Sequence, residues 1–302
     1  MPRLRGQPSD KAGSEHALER GHQSVTRREV ANKVITAPET AYRLDGPADA
    51  PVLLLSNGLA ADFSMWDAQI PFLATHYRTL RYDNRGHGDT PASLGPYSID
   101  LLASDALDLL DQLAIRKAHF LGMSLGGTIG WMLAASYPER IASLVLCDTP
   151  IEAAPEVWAT RITTALSRGM EPLVEPTLER WLTASFRAAA PAVTERVGRM
   201  IRRTSPVGYA GCAAAIQSMQ LTALLPHIKA PTLVVVGEKD TATPPAMAER
   251  LAASIPGAEL AVIKAAAHLP NIEQPEAFNA TIGDFLRRHA GVRPQSEPGA
   301  QG

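Results

Sequence analysis

Short, wholly apolar runs alternate along this chain with longer stretches in which apolar residues return every third or fourth position. Val52–Leu55, Arg78–Tyr82, Ala118–Gly122, Ile141–Cys147, Leu233–Gly237 and Glu259–Ile263 read as strands, most of them apolar enough to be buried on both faces. Val34–Thr36 and Ala41–Leu44 read as two shorter strands ahead of the Gly46-Pro47 turn. Helical spacing runs through Met65–Leu73, Gly126–Tyr137 and Pro275–Arg288. It is clearest over Ile99–Leu113, where Leu101, Leu102, Leu109 and Leu113 fall at a period near 3.6 against Asp105 and Asp108. Strands alternating with helices build βαβ units, so the pattern predicts an α/β fold with a mostly parallel sheet flanked by helices.

Residues 150–225 interrupt that rhythm. They hold no strand pattern and are rich in Ala, Glu, Arg, Leu and Met, with Trp158, Trp181 and Phe186 at intervals. Strands of similar character flank them, so they read as a helical cap inserted into one core made of 31–149 and 226–290, in preference to a separate helical domain. Residues 1–30 and 291–302 are polar and read as a disordered extension and tail.

Composition narrows the classes. The 302 residues are 45% hydrophobic and 20% charged, as in ordinary globular proteins. Lys+Arg number 29 against 31 Asp+Glu, a net charge of -2 that argues against a nucleic-acid partner. No apolar run approaches the roughly 18 residues of a membrane span, and no apolar segment follows the basic N-terminus as in a secretory signal. Two cysteines, Cys147 and Cys212, form no disulfide framework and suit a reducing compartment. The expectation is a cytoplasmic protein acting on a small molecule. Oligomeric state is not legible.

The chemistry centres on Gly122-Met123-Ser124-Leu125-Gly126, a G-x-S-x-G sequence. Chance supplies roughly 0.1 such matches in a chain this long, so the setting matters more than the pattern. The motif follows an apolar strand and opens a helix, the strand–turn–helix context of a nucleophile elbow. A serine needs a base, and the base an orienting acid, in the chain order Ser, Asp or Glu, His. Asp240 lies just past the strand Leu233–Gly237, where open α/β sheets place functional groups, with Glu238 the competing carboxylate. Only His268 and His289 follow it, and His289 sits in the basic end of the last helix, which leaves His268 as the base. His87 reads as a brace for a nearby loop. Oxyanion donors fall to the backbone N–H groups of Leu125 and Leu59. H-E-x-x-H, C-x-x-C, Walker A and G-x-G-x-x-G sequences are absent, so neither metal nor cofactor is expected.

Together these residues resemble the α/β-hydrolase superfamily over about residues 34–288. Within it the chain is most similar to bacterial 3-oxoadipate enol-lactonases. The resemblance rests on Leu55-Ser56-Asn57-Gly58-Leu59, Met65-Trp66-Asp67, Arg81 through Gly88, the Ser124 motif with Gly127, Tyr209 through Ile216, and Ala230-Pro231-Thr232. Asn57 in place of the usual His and the cap sequence are its more specific parts. The chain departs at Gly58, where Ser is usual, and at Leu125, where Met is common. The resemblance implies a serine hydrolase of the β-ketoadipate pathway that opens an enol-lactone. A carboxylesterase, perhydrolase or carbon–carbon hydrolase with the same triad is the alternative. Such a lactone carries a carboxylate arm, which calls for a cation. Trp158 and Arg161 are three residues apart, hence on one helical face, and are the candidate substrate contacts, with Arg180 and Arg187 as rival clamps.

Overall fold

The computed structural model describes residues 39–289, together with two short strands, β1 (Glu29–Val30) and β2 (Lys33–Val34). Contacts divide the chain into a unit of residues 1–36 and a unit of residues 37–302. In the first, β1 and β2 pair antiparallel, with Glu29 opposite Val34. Glu29–Val30 fall at the end of the polar extension 1–30. The rest of that extension, the tail 291–302 and the remainder of the Val34–Thr36 strand lie outside the described residues.

The second unit is built on seven strands: β3 (Tyr42–Asp45), β4 (Val52–Ser56), β5 (Arg78–Tyr82), β6 (Ala118–Met123), β7 (Ile141–Cys147), β8 (Thr232–Gly237) and β9 (Glu259–Ile263). Their order is β3-β5-β4-β6-β7-β8-β9, and only β3 runs antiparallel to its neighbour. The central strands β6 and β8 are mostly apolar and buried along their whole length because both sheet faces are covered. The edge strand β9 is largely exposed. The chain passes from β4 to β5 on one side and then crosses to β6 on the other. That reversal opens a crevice at the carboxyl ends of β4 and β6.

Connecting helices are α1 (Ile70–Leu73), α2 (Ile99–Gln112), α3 (Leu125–Ser136), α9 (Pro245–Ser254), α10 (Pro270–Glu273) and α11 (Pro275–His289). Ser98 caps α2 by accepting the Leu101 N–H at 3.1 Å, and Asp100 favours the positive end of its dipole. Between β7 and β8 run five more helices, α4 (Pro155–Arg168), α5 (Glu171–Trp181), α6 (Ala184–Ala189), α7 (Pro191–Arg203) and α8 (Pro206–Gln217). No described helix is long and apolar enough to cross a membrane.

Two differences from the sequence pattern have local causes. Met65–Leu73 is two short turns instead of one helix. A 3-10 turn, Phe63–Trp66, is capped by Asp62, and α1 starts afresh with Pro71, which lacks the N–H a longer helix would need. The sequence pattern does not reveal helices α9 and α10, because each opens on a proline that reads equally as a loop.

One buried ion pair ties the loop after β5 to α2. Arg85 Nε donates to Asp105 Oδ2 at 2.6 Å and Nη2 to Oδ1, and both side chains are buried. Asp105→Ala would strand a buried guanidinium. We expect a loss of about 3–5 kcal/mol in unfolding free energy by denaturant titration; a change under about 1 kcal/mol would contradict the pairing.

Candidate active site

The elbow comes from steric necessity. Ser124 links β6 to α3 at φ 53 and ψ -113, a conformation that costs a non-glycine residue on the order of 1–3 kcal/mol. A Cβ on Gly122 would run into the Gly126 carbonyl, and one on Gly126 into the Ser56 carbonyl of β4. The two glycines thus let the turn close against the adjacent strand and lift the half-buried Ser124 into the crevice. Leu125 follows as the first residue of α3, so its N–H has no partner within the helix.

Asp240 and His268 converge from the loops after β8 and β9. His268 Nδ1 lies 2.8 Å from Asp240 Oδ2. That carboxylate accepts three more hydrogen bonds: Oδ1 accepts the N–H groups of Ala242 and Thr243 at 2.7 and 3.1 Å, and Oδ2 the Thr243 hydroxyl at 2.5 Å. Burial alone would raise the Asp240 carboxyl. The charge of His268 and the hydrogen bonds from His268 and Thr243 outweigh it and hold the group below the usual carboxylate range. Glu238, the competing carboxylate, is exposed and instead receives Lys264 Nζ at 2.8 Å and the Ala265 N–H at 3.0 Å. His289 lies against Phe285, with ring centroids 4.7 Å apart. His87 is buried and held by the Arg85 carbonyl at 3.2 Å, in keeping with a loop brace.

The loop after β4 is pinned from below by Asn57. Its Nδ2 donates to the Tyr82 carbonyl at 2.8 Å and to Asp83 Oδ1 at 3.3 Å, while Trp66 Nε1 donates to its Oδ1 at 2.9 Å. With the side chain turned inward, the backbone carries Leu59 to the crevice, where it lines the same cavity as Ser124. The sequence marked Asn57 as distinctive but held no sign of these partners, which come from β5 and the turn before α1.

That cavity measures about 400 Å³ and brings Ser124 and His268 together with Trp158, Arg161, Arg180 and Trp181 from α4 and α5. Trp181 stacks on His268, centroids 6.3 Å apart. The Arg161 guanidinium lies over the Trp158 ring at 4.7 Å, the shared helical face expected from their spacing. Among the described residues neither Arg161 nor Arg180 forms a salt bridge; Arg180 only donates to Thr177 Oγ1 at 3.1 Å. Burial and the like charge of Arg161 push Arg180 down to about 10. The other rival, Arg187, pairs with Glu175 at 3.1 Å and is not part of the cavity lining.

A family model described as the alpha/beta hydrolase fold matches residues 51–275. The chain belongs to the α/β-hydrolase family. It is 34% identical to 3-oxoadipate enol-lactonase 2 of Acinetobacter baylyi over 257 residues, covering 84% of this chain and 96% of that one. A protein of Stutzerimonas stutzeri bearing the provisional name carbamate hydrolase RutD is 31% identical over 261 residues, covering 83% and 97%. The crystal structure of the enol-lactonase from Burkholderia xenovorans LB400 superposes with a TM-score of 0.81 at 41% identity, covering 83% of this hydrolase and 97% of that chain.

Proposed function

We propose that this hydrolase opens the ring of 3-oxoadipate enol-lactone, or of a lactone with the same carboxylate arm, through a serine acyl-enzyme. The observation that carries the reading is the pair of arginines that line the same cavity as Ser124 and have no carboxylate in salt-bridge reach among the described residues. Two like charges held in a partly buried cavity are relieved by an anion, and the fork of a guanidinium suits a carboxylate.

With the arm held there, Ser124 Oγ attacks the ring carbonyl carbon. His268, whose Nδ1 is committed to Asp240, takes the serine proton on Nε2. The oxyanion is received by the Leu59 and Leu125 amides, a contribution on the order of 2.7–4 kcal/mol per donor in such sites. The ring C–O bond then breaks, and the enolate leaving group takes up the proton and tautomerises to the ketone. Water, deprotonated by His268, attacks the acyl carbon, and Ser124 leaves with the returned proton. Carbamate hydrolysis is a second reading, supported by relatives bearing that name.

Arg161→Ala should lower kcat/KM for the anionic lactone by about 1.5–3 kcal/mol, the scale of a hydrogen bond to a charged group, while neutral aryl-ester hydrolysis changes far less. Equal losses on both substrates would remove Arg161 from carboxylate recognition and leave Arg180 as the candidate.

A chelator should leave turnover unchanged. Asp148, Asp240 and His268 stand close enough to hold an ion. The Asp240 oxygens and His268 Nδ1 are, however, already engaged in hydrogen bonds that an ion would have to break. Loss of activity in EDTA that zinc restores would overturn this.

A further inference from the structure

The apolar run of β7 ends in Cys147-Asp148-Thr149, and Asp148 is fully buried at 0% exposure with φ 44. Its N–H continues the ladder to the Val235 carbonyl at 2.9 Å, and its Oδ1 accepts the Gly237 N–H, also at 2.9 Å. Among the described residues Oδ2 has no hydrogen-bond partner. Yet polar atoms of Asp148, Asp240 and His268 all lie within 4.8 Å of one another. A buried carboxyl with one idle oxygen therefore stands beside the carboxylate that orients the candidate base.

Two charged states of that arrangement fit poorly. An ionised Asp148 would place a second buried anion next to Asp240 with one oxygen uncompensated, a costly state. A cation would have to displace the donors that already occupy Asp240. A neutral carboxyl avoids both costs: Oδ1 remains the acceptor for Gly237, and Oδ2 carries a proton that can share an Asp240 oxygen with the donors already there.

We propose that Asp148 is a positioning residue of the hydrolytic site, a neutral carboxyl whose Oδ2–H is directed at the Asp240 carboxylate while its Oδ1 holds the end of β8. The proposal rests on the reading of Ser124, Asp240 and His268 as the triad. Burial, and then the charge of Asp240, push the Asp148 carboxyl well above the usual carboxylate range, in line with the geometry. The titratable groups facing it are Asp240 beyond β8, His268 beyond β9 and Glu273 on α10, with Cys147 preceding it in β7. Both functions converge on His268. A Cβ on Gly237 would run into the Ala267 carbonyl, so the end of β8 is the seat of the His268 loop. The donated proton also disperses charge on the Asp240 carboxylate that His268 Nδ1 meets at 2.8 Å.

The protonation state is read without any substitution by ¹³C NMR of the aspartate carboxyls in the wild-type protein, with Asp148 assigned through its backbone. A neutral-acid resonance at neutral pH is expected; a carboxylate resonance overturns the proposal. Asp148→Asn then tests the role, since its amide keeps both the acceptor for Gly237 and a donor for Asp240, and asparagine tolerates a positive φ. Its kcat/KM should stay within about threefold of wild type and the acid limb of its pH profile within about 0.3 unit. Removal of a real charge would instead move that limb down by about 1 unit, which contradicts a neutral Asp148. Asp148→Ala, with folding checked by circular dichroism, loses the donor, so its acid limb should rise; an unmoved limb would reduce Asp148 to a packing role. Absence of ester turnover in the wild type would defeat the triad reading alone, because the carboxyl resonance is measured independently of activity.

Discussion

Ser124→Ala should lower kcat by at least about 10⁴-fold on any ester or lactone the protein hydrolyses, because removal of the nucleophile of a triad forfeits the whole unit. The substitution deletes one oxygen from a half-buried side chain and leaves the backbone turn intact, so the unfolding midpoint should hardly change. Alanine at φ 53 bears the same strain that serine does. His268→Ala should match this loss, and combining the two should add little, since neither residue works without the other. Turnover near wild type in Ser124→Ala would mean that water or another side chain attacks the substrate.

Asp240→Asn should be nearly as severe, roughly 10⁴-fold in kcat, although it is almost isosteric. The carboxylate now accepts from His268 Nδ1 at 2.8 Å, which leaves Nε2 free to take a proton. Three donors from Ala242 and Thr243 surround the same carboxylate. An amide there keeps its oxygen toward the Ala242 and Thr243 N–H groups and turns its NH₂ toward Nδ1 and the Thr243 hydroxyl. The imidazole then shifts its own hydrogen to Nε2 and ceases to be a base. A loss of less than about tenfold would show that orientation alone, without the negative charge, suffices. A harsher effect from Glu238→Gln would transfer the acid role to that residue.

The parts of this site that are readable from the chain are those set by backbone geometry over a few residues. G-x-S-x-G after an apolar strand announces an elbow because only glycine fits where β6, α3 and β4 crowd together. Asp240 and His268 each follow an apolar run directly, and the carboxyl ends of parallel strands face one edge of the sheet. Trp158 and Arg161 share a face by helical spacing alone. What stays hidden depends on strand order and on partners distant in sequence. Asp148 and Asp240 become neighbours only because β7 and β8 pair in the sheet, although the five helices α4–α8 separate them in the chain. Glu273 shows the same limit. Nothing in its sequence setting marks it, yet its carboxylate receives the Ala267 N–H beside His268 at 2.8 Å and the Thr183 hydroxyl at 2.7 Å, tying α10 to the segment after α5. Arg180 entered as a rival clamp on residue type alone; its closeness to Arg161 comes from the packing of α4 against α5.

The proposed function assigns substrate choice to charge recognition by the two cavity arginines, so the most direct test compares substrates on the purified wild-type protein. Ring opening of 3-oxoadipate enol-lactone is followed by loss of its ultraviolet absorbance, beside hydrolysis of a neutral aryl ester and of a carbamate. The account predicts that the lactone is opened with a kcat/KM at least about 100-fold above that of the neutral ester, the combined scale of two charged hydrogen bonds to the carboxylate arm. An intact lactone alongside efficient carbamate or neutral-ester hydrolysis would contradict it.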